Sequence, residues 1–379
     1  MIRYIEPYIR EDLQRKMVFI GGPRQVGKTT VSQALCQGEF AKHESFNWDA
    51  AEDRTAVLAK HWREDAALVV FDELHKYPKW KEWIKGVYDK RPPHQQYLVT
   101  GSARLDTYRQ GGDSLLGRYH YWRLHPFTLD ELPQGMSLQE GFERLLRLGG
   151  FPEPFLSGNE RLAKRWRRER FDRILREDIR DLESIRHLQL LALFVRALQE
   201  RAGGLIVLSN LANDLQIAPA TAKHWLVLIE RMYITFAVYP FTQQVLRSIL
   251  KPPKVYFYDN ADVLSSEGAR FENLVATHLL KRLHFLEDYE GCRCELHYIR
   301  DKDGREVDFA TVVDGTLHEL IEVKLSDDKI SSSLKYYTEK LKPQRAVQIV
   351  ARLPRAYDEN GIQVRSAVEY FSIPPWVRS

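Results

Sequence analysis

Cysteine is scarce: Cys36, Cys292 and Cys294 are the three in 379 residues. So few thiols, so unevenly spaced, exclude a disulfide framework, and Cys292-Arg-Cys294 supplies only two of the four ligands of a structural zinc. Reduced thiols in a cytoplasmic protein are therefore expected. Long apolar runs are missing too. The longest, such as Ala66 to Phe71, fall far short of the ~20 residues of a membrane span. Met1-Ile-Arg-Tyr-Ile-Glu6 carries charge where a signal peptide needs an apolar run. Neither a membrane partner nor export is expected. There is no internal repeat and no low-complexity segment. Charge of one sign is nearly cancelled, 56 Lys and Arg against 52 Asp and Glu, so global charge neither demands nor excludes a nucleic acid.

What is present is enough apolar residue, 44% of the chain, for two or three domain cores. From residue 16 to about 135, short runs rich in Val, Ile and Phe alternate with helix-length stretches: Met17-Val-Phe-Ile20, Ala67-Leu-Val-Val-Phe71 and Gln96-Tyr-Leu-Val-Thr100. That alternation predicts a parallel sheet covered on both faces. Residues 141–201 read as helical and charged, with Gly149-Gly-Phe-Pro152 as a break near the start. A compact unit follows over 205–246, and Pro252-Pro253 introduces the last part. The expected domains are 1–135, 136–250 and 251–379. Basic residues crowd at Arg161, Lys164, Arg165, Arg167, Arg168 and Arg170, with acids following at Glu177, Asp178, Asp181 and Glu183. Either a solvated helix face laced with i,i+4 pairs or a phosphate-contacting patch fits this pattern.

The sharpest signal is Gly22-Pro23-Arg24-Gln25-Val26-Gly27-Lys28-Thr29-Thr30, a G-x-x-x-x-G-K-[ST] match. It follows a strand candidate, Met17 to Ile20, and opens a helix, Thr29-Thr-Val-Ser-Gln-Ala-Leu35. That is the strand, loop and helix order a phosphate cradle needs. Gly22 and Gly27 let backbone N–H groups wrap phosphates, Lys28 reaches the β and γ oxygens, and the Thr29 hydroxyl binds Mg²⁺. ATP and Mg²⁺ are thus the expected cofactors. The apolar strand Ala67 to Phe71 ends in Asp72-Glu73. Asp72 is suited to hold Mg²⁺ through water, and Glu73 to orient and deprotonate the attacking water, which favours hydrolysis over mere binding. Thr100 or Ser102, at the end of a third strand, is a candidate γ-phosphate sensor. Arg104 and Arg118 are candidates to neutralise transition-state charge, Arg118 either in its own subunit or across a homo-oligomer interface, with a surface salt bridge as the plain alternative.

Several strings together resemble a known family. They are the P-loop 22–30, Phe71-Asp-Glu-Leu-His-Lys-Tyr-Pro78, Thr100-Gly-Ser-Ala-Arg104, Ser114-Leu-Leu-Gly-Arg118, Arg176-Glu-Asp-Ile-Arg-Asp-Leu182, Glu306-Val-Asp-Phe309 and Ile321-Glu-Val-Lys324. The chain resembles prokaryotic AAA-type ATPases that carry a winged helix and a C-terminal domain of unknown function with a restriction-endonuclease-like fold. The resemblance implies an α/β fold: a P-loop NTPase parallel-sheet domain, a helical and winged-helix domain, then an α/β restriction-endonuclease-like domain.

Residues 208–231 read as two helices broken at 216–218, with Pro219 suited to the first turn of the second. Tyr233-Ile-Thr-Phe-Ala-Val-Tyr239 follows as a wing would. Thr221, Lys223 and His224 would face a DNA groove in a reader, whereas in AAA-type proteins the same module often only packs against the ATPase. Further on, Asp308 and the Glu322-Val-Lys324 pair fall on strands joined by a turn at Asp314-Gly315. Alternation puts Glu322 and Lys324 on one face, able to meet Asp308. Two carboxylates on Mg²⁺ and a lysine positioning hydroxide are the working set of PD-ExK nucleases; a salt bridge is the bland reading. Val307 stands where that motif has proline, and the family pattern adds Glu272 as a further ligand. The resulting expectation is Mg-dependent ATP hydrolysis coupled to a DNA-binding module, with or without nuclease activity. The alternative is an ATP-driven switch for protein-protein assembly with an inactive nuclease-like domain.

Overall fold

The computed structural model describes residues 3–38, 40, 42–101, 115–179, 188–242 and 251–374. Ser102, Arg104 and Ser114 lie outside the described residues, as do 180–182 of the Arg176 string. The chain divides into two compact units, Met1–His125 and Pro126–Ser379.

In the first unit, strands β1 (Met17–Gly21), β2 (His43–Asn47), β3 (Leu68–Asp72), β4 (Gln96–Thr100) and β5 (Tyr119–Arg123) form a sheet of order β2-β3-β4-β1-β5. Every pairing is parallel. Helices α1 (Glu6–Leu13), α2 (Lys28–Gln37), α3 (Ala51–Ala59) and α4 (Trp80–Asp89) complete it. β1 and β3 are buried along their whole length, which is why they read as unbroken apolar runs rather than as alternation. β2, His-Glu-Ser-Phe-Asn, is the edge strand and keeps its polar residues half-buried or exposed. An aromatic core of Phe19, Phe71, Trp80 and Tyr97 packs on one face.

The second unit begins with helices α5 (Leu138–Leu148), α6 (Pro152–Ser157), α7 (Glu160–Arg173), α8 (Leu188–Gln199), α9 (Leu208–Asp214) and α10 (Pro219–Arg231). Ser137 caps α5 by accepting from the Glu140 N–H, and Pro219 sits in the first turn of α10. Strands β6 (Thr235–Pro240) and β7 (Lys254–Phe257) follow, then the long helix α11 (Glu267–Tyr289). Strands β8 (Cys294–Arg300), β9 (Glu306–Val313) and β10 (Thr316–Lys324), helix α12 (Ser332–Leu341), strands β11 (Arg345–Val350), β12 (Tyr357–Glu359) and β13 (Ile362–Ser366), and helix α13 (Ala367–Phe371) end the described chain. The eight strands form one sheet of order β12-β13-β11-β10-β9-β8-β6-β7. β6 pairs antiparallel with β7 through residues 235–238 and parallel with β8 through Tyr239 and Pro240. Pro252-Pro253 therefore lies between two strands of one sheet. Asp314 and Gly315 both have positive φ, 48° and 78°, and make the two-residue hairpin joining β9 to β10.

Candidate functional site

The P-loop turns on backbone geometry that only certain residues tolerate. Gly22 has φ 136°, and a Cβ there would lie 2.4 Å from the Leu124 carbonyl oxygen. Gly27, at φ 99°, caps α2 in the left-handed region. Gln25 also has positive φ, 61°, and is exposed, while Pro23 and Val26 are buried, Arg24 is half-buried and Thr30 is exposed. Arg3 fixes the loop from the N-terminal side: its guanidinium donates to the Val26 carbonyl at 2.8 Å and the His125 carbonyl at 2.6 Å. Lys28 is buried, its ammonium donating to the carbonyls of Gly22 (3.0 Å) and Pro23 (2.7 Å). These bonds hold the amine inside the cradle it is suited to share with phosphate.

Strand order brings the acids to the loop. β4 lies between β1 and β3, so Thr100 is paired both with Ile20 and with Asp72. Thr100 donates its hydroxyl to Asp72 Oδ1, and Thr29 donates to Asp72 Oδ2 at 2.9 Å. A hydroxyl and a carboxylate this close form a hard-oxygen set that fits Mg²⁺ beside a bound phosphate. Glu73 follows at φ 58°, a strained conformation for a residue with a side chain. Its N–H donates to the Thr100 carbonyl at 3.0 Å. Its carboxylate lies 3.4 Å from the Lys76 ammonium and 3.7 Å from the His75 ring, and Lys76 also holds Asp49 at 2.6 Å.

Arg118 is placed elsewhere. The parallel register sets Met17 beside Tyr119 and Gly21 beside Arg123, so Arg118 precedes β5 at the sheet end opposite the P-loop, roughly 17 Å away at strand rise. Its guanidinium forks onto Asp89, with Nε at 2.7 Å and Nη2 at 3.2 Å. There the side chain is paired with Asp89 and lies away from the P-loop of its own chain.

Residues 14–133 match the family model of the AAA domain. They form an AAA-type P-loop ATPase domain. Beyond this AAA domain, residues 139–265 and 267–369 match two domains of unknown function, DUF8612 and DUF4143. An uncharacterized Mycobacterium tuberculosis protein, Rv2008c, is 24% identical over 254 residues, which are 66% of this chain and 56% of that protein. The chain thus spans little more than half of that relative. The uncharacterized Methanocaldococcus jannaschii protein MJ1544 is 22% identical over 315 residues, covering 76% of this chain and 68% of that one. Among solved structures, the Thermotoga maritima RuvB Holliday junction branch migration motor aligns at 16% identity and a TM-score of 0.31, covering 65% of this chain and 94% of that one. No described helix is long and apolar enough to cross a membrane.

In the second unit the residues expected for a metal-dependent nuclease come together on β9, β10 and α11. Phe309 pairs with Ile321, which sets Asp308 beside Glu322. Asp308 accepts from the Val323 N–H at 2.9 Å, and Lys324 holds Glu322 at 2.7 Å. Glu272, from α11, accepts from the Tyr256 hydroxyl at 2.6 Å. Among the described residues no group of three or more His, Cys, Asp or Glu is arranged to hold a metal ion. A residue that sequence reading passed over sits among these acids: Lys254, 3% exposed, lies 3.1 Å from Glu272, 2.7 Å from Glu306 and 3.6 Å from Asp308. The available signal was a lysine beginning the apolar run Val-Tyr-Phe-Tyr258, since a lysine in a buried strand needs counter-charges. Burial drives the carboxyl pKa values up, Glu272 and Glu322 each to about 7, with the neighbouring Asp308 charge adding to both. Burial alone would lower Lys254, but Glu272, Asp308 and Glu306 reverse this and hold its pKa raised.

On α10, Thr221 is half-buried, and Lys223 and His224 are exposed. Arg161, Lys164, Arg165 and Arg168 are exposed on α7, with Arg165 lying 3.5 Å from Glu169.

Proposed function

We propose that the AAA domain binds Mg-ATP and hydrolyses it, and that its nucleotide state governs a DNA-engaging second unit whose carboxylate pocket does not cleave. The observation that carries the hydrolysis reading is the bonded run Thr29–Asp72–Thr100 beside a buried Lys28 and directly before Glu73. In this reading the amides of residues 22–29 bind the phosphates, and Lys28 exchanges its carbonyl partners for β and γ oxygens. Thr29 and Asp72 hold the metal, and Thr100 keeps Asp72 aimed. Mg²⁺, when bound, supplies neutralisation of the phosphate charge. Glu73 accepts the proton of the attacking water, its carboxylate steered by Lys76 and His75. Arg118 serves only across an interface of a homo-oligomer, where a neighbour's phosphates come within its reach.

The DNA reading is supported by the α9–α10 pair, joined by a tight turn at 215–218 and followed by β6 as in a winged helix. Lys223 and His224 are exposed on the second helix, and the exposed cations of α7 add a surface suited to phosphates. The restriction-endonuclease-like resemblance of 251–379 points the same way. An ATP-driven switch for protein-protein assembly is the second reading, and the Lys254-filled pocket is the observation that favours it.

The test is steady-state ATP hydrolysis by the full chain with and without duplex DNA, for the natural protein and for Lys223→Glu. Stimulation by DNA that falls with added salt and is weakened in the variant supports the DNA reading. Hydrolysis indifferent to DNA transfers the proposal to protein-protein assembly, and no hydrolysis at all overturns both.

A further inference from the structure

The nuclease-like resemblance implies a divalent cation among Glu272, Asp308 and Glu322, yet a lysine ammonium already sits beside two of these carboxylates. The Lys254 ammonium sits within 2.7–3.6 Å of carboxylate oxygens from Glu272, Glu306 and Asp308, with Glu272 on α11 and the other two on β9. The ammonium thus occupies a point where carboxylate oxygens of both elements converge. Metal–oxygen bonds of about 2.0–2.6 Å and an ammonium cannot share it.

Most of the other groups facing the pocket are engaged as well, although Glu322 Oε2 is buried without a hydrogen-bond partner. Tyr256 donates to Glu272 at 2.6 Å, Arg300 pairs with the second Glu306 oxygen at 2.8 Å, Lys324 holds Glu322 at 2.7 Å, and the Val323 N–H holds Asp308 at 2.9 Å. Lys254 is anchored too: it is the first residue of β7, paired with Val238 of β6, so its stem enters from a strand and not from a loop that swings away. Expelling the ammonium would strand a buried charge and three carboxylates together.

We infer that Lys254 is a resident cation that replaces the divalent metal of the nuclease-like pocket, making it an ionic lock between α11, β7 and β9 that binds no metal until that lysine is removed. The inference is independent of the ATPase reading. It distinguishes a pocket that is closed by construction from one awaiting Mg²⁺.

The experiment is Mn²⁺ binding to the full chain without nucleotide, followed by electron paramagnetic resonance, for the natural protein, Asp308→Asn, Lys254→Met and the Lys254→Met/Asp308→Asn pair. Weak Mn²⁺ binding at Thr29 and Asp72 is common to all four and cancels in the comparison. The expected result is identical binding by the natural protein and Asp308→Asn, one added Mn²⁺ site in Lys254→Met, and loss of that site in the double variant. The added site also raises the unfolding temperature of Lys254→Met in Mn²⁺ but not that of the natural protein. A site in the natural protein that Asp308→Asn abolishes overturns the inference, and so does a folded Lys254→Met without an added site. If Lys254→Met does not fold, the comparison of the natural protein with Asp308→Asn still decides, and recovery of the Lys254→Met fold by Mn²⁺ supports the inference.

Discussion

Replacing Glu73 by Gln separates catalysis from architecture in the AAA domain. The substitution keeps the size and the hydrogen-bonding reach of the side chain, and Gln bears the φ of 58° at this position no worse than Glu. The charge it removes sits 3.4 Å from Lys76. Lys76 keeps Asp49 at 2.6 Å, so the loss is one of two ion pairs on that ammonium. A partly exposed pair of this kind contributes about 0.2–1 kcal/mol, and the fold should hold. The backbone bond from the Glu73 N–H to Thr100 is untouched, so Asp72, Thr29 and Thr100 stay in register. Removal of a general base costs about 10²–10⁴-fold in rate, or about 3–5 kcal/mol of barrier. The expected outcome is therefore ATP affinity within a few-fold of the natural protein, measured with a fluorescent ATP analogue, and phosphate release slowed by at least about a hundredfold. A turnover rate within about tenfold of the natural value, with affinity intact, would refute the assignment of Glu73 as base.

Gly22→Ala places a methyl group 2.4 Å from the Leu124 carbonyl oxygen at φ 136°, so a destabilisation of about 2–4 kcal/mol and loss of ATP binding are expected; an unchanged urea midpoint would contradict the close approach. Arg118→Ala removes a group at the sheet end opposite the phosphates, so ATP affinity measured at dilution should change less than about two-fold, below ~0.5 kcal/mol; a large loss would mean that Arg118 reaches the nucleotide of its own chain. Glu322 bears on pH dependence: its pKa is raised from 4.5 to about 7 by burial and then by the Asp308 charge. A raised carboxyl pKa means that the native state holds the proton longer than the unfolded chain, so this contribution is full below pH 4.5 and is lost as pH rises through 7. Glu322→Gln, which titrates in neither state, should therefore gain stability relative to the natural protein between pH 5 and 8 in urea unfolding; a pH-independent difference would refute the shift.

Much of the first unit is legible in the sequence because its signals are local. The phosphate loop needs glycines at fixed spacing, its strand needs an unbroken apolar run, and Asp72 and Glu73 declare themselves by ending another such run. In the second unit, Pro219 at a helix start and Asp314-Gly315 at a hairpin are likewise set by the φ each residue prefers, and the two-residue turn fixes the first pairs of β9 and β10, Val313 with Thr316 and Val312 with Leu317. Asp308 and Glu322 come opposite one another only because the register shifts by one residue between Leu317 and Glu319, which the turn does not announce.

What the sequence leaves open is decided by strand order and by long-range electrostatics. Thr100 meets Asp72 because β4 is inserted between β1 and β3, an order that no local pattern encodes. Arg118 looks like a charge-stabilising arginine until the parallel register carries it to the wrong end of the sheet. The carboxylates of β9 and α11 meet a buried cation because β7 brings Lys254 between them. An isolated lysine in an apolar strand announces that a counter-charge exists somewhere, but which acids supply it depends on how β6 bends to lay β7 beside them. Local preferences thus determine the elements and the chemistry each one carries. Tertiary packing alone determines which of those chemistries meet, because a buried charge is settled by its nearest neighbours in space and not by those along the chain.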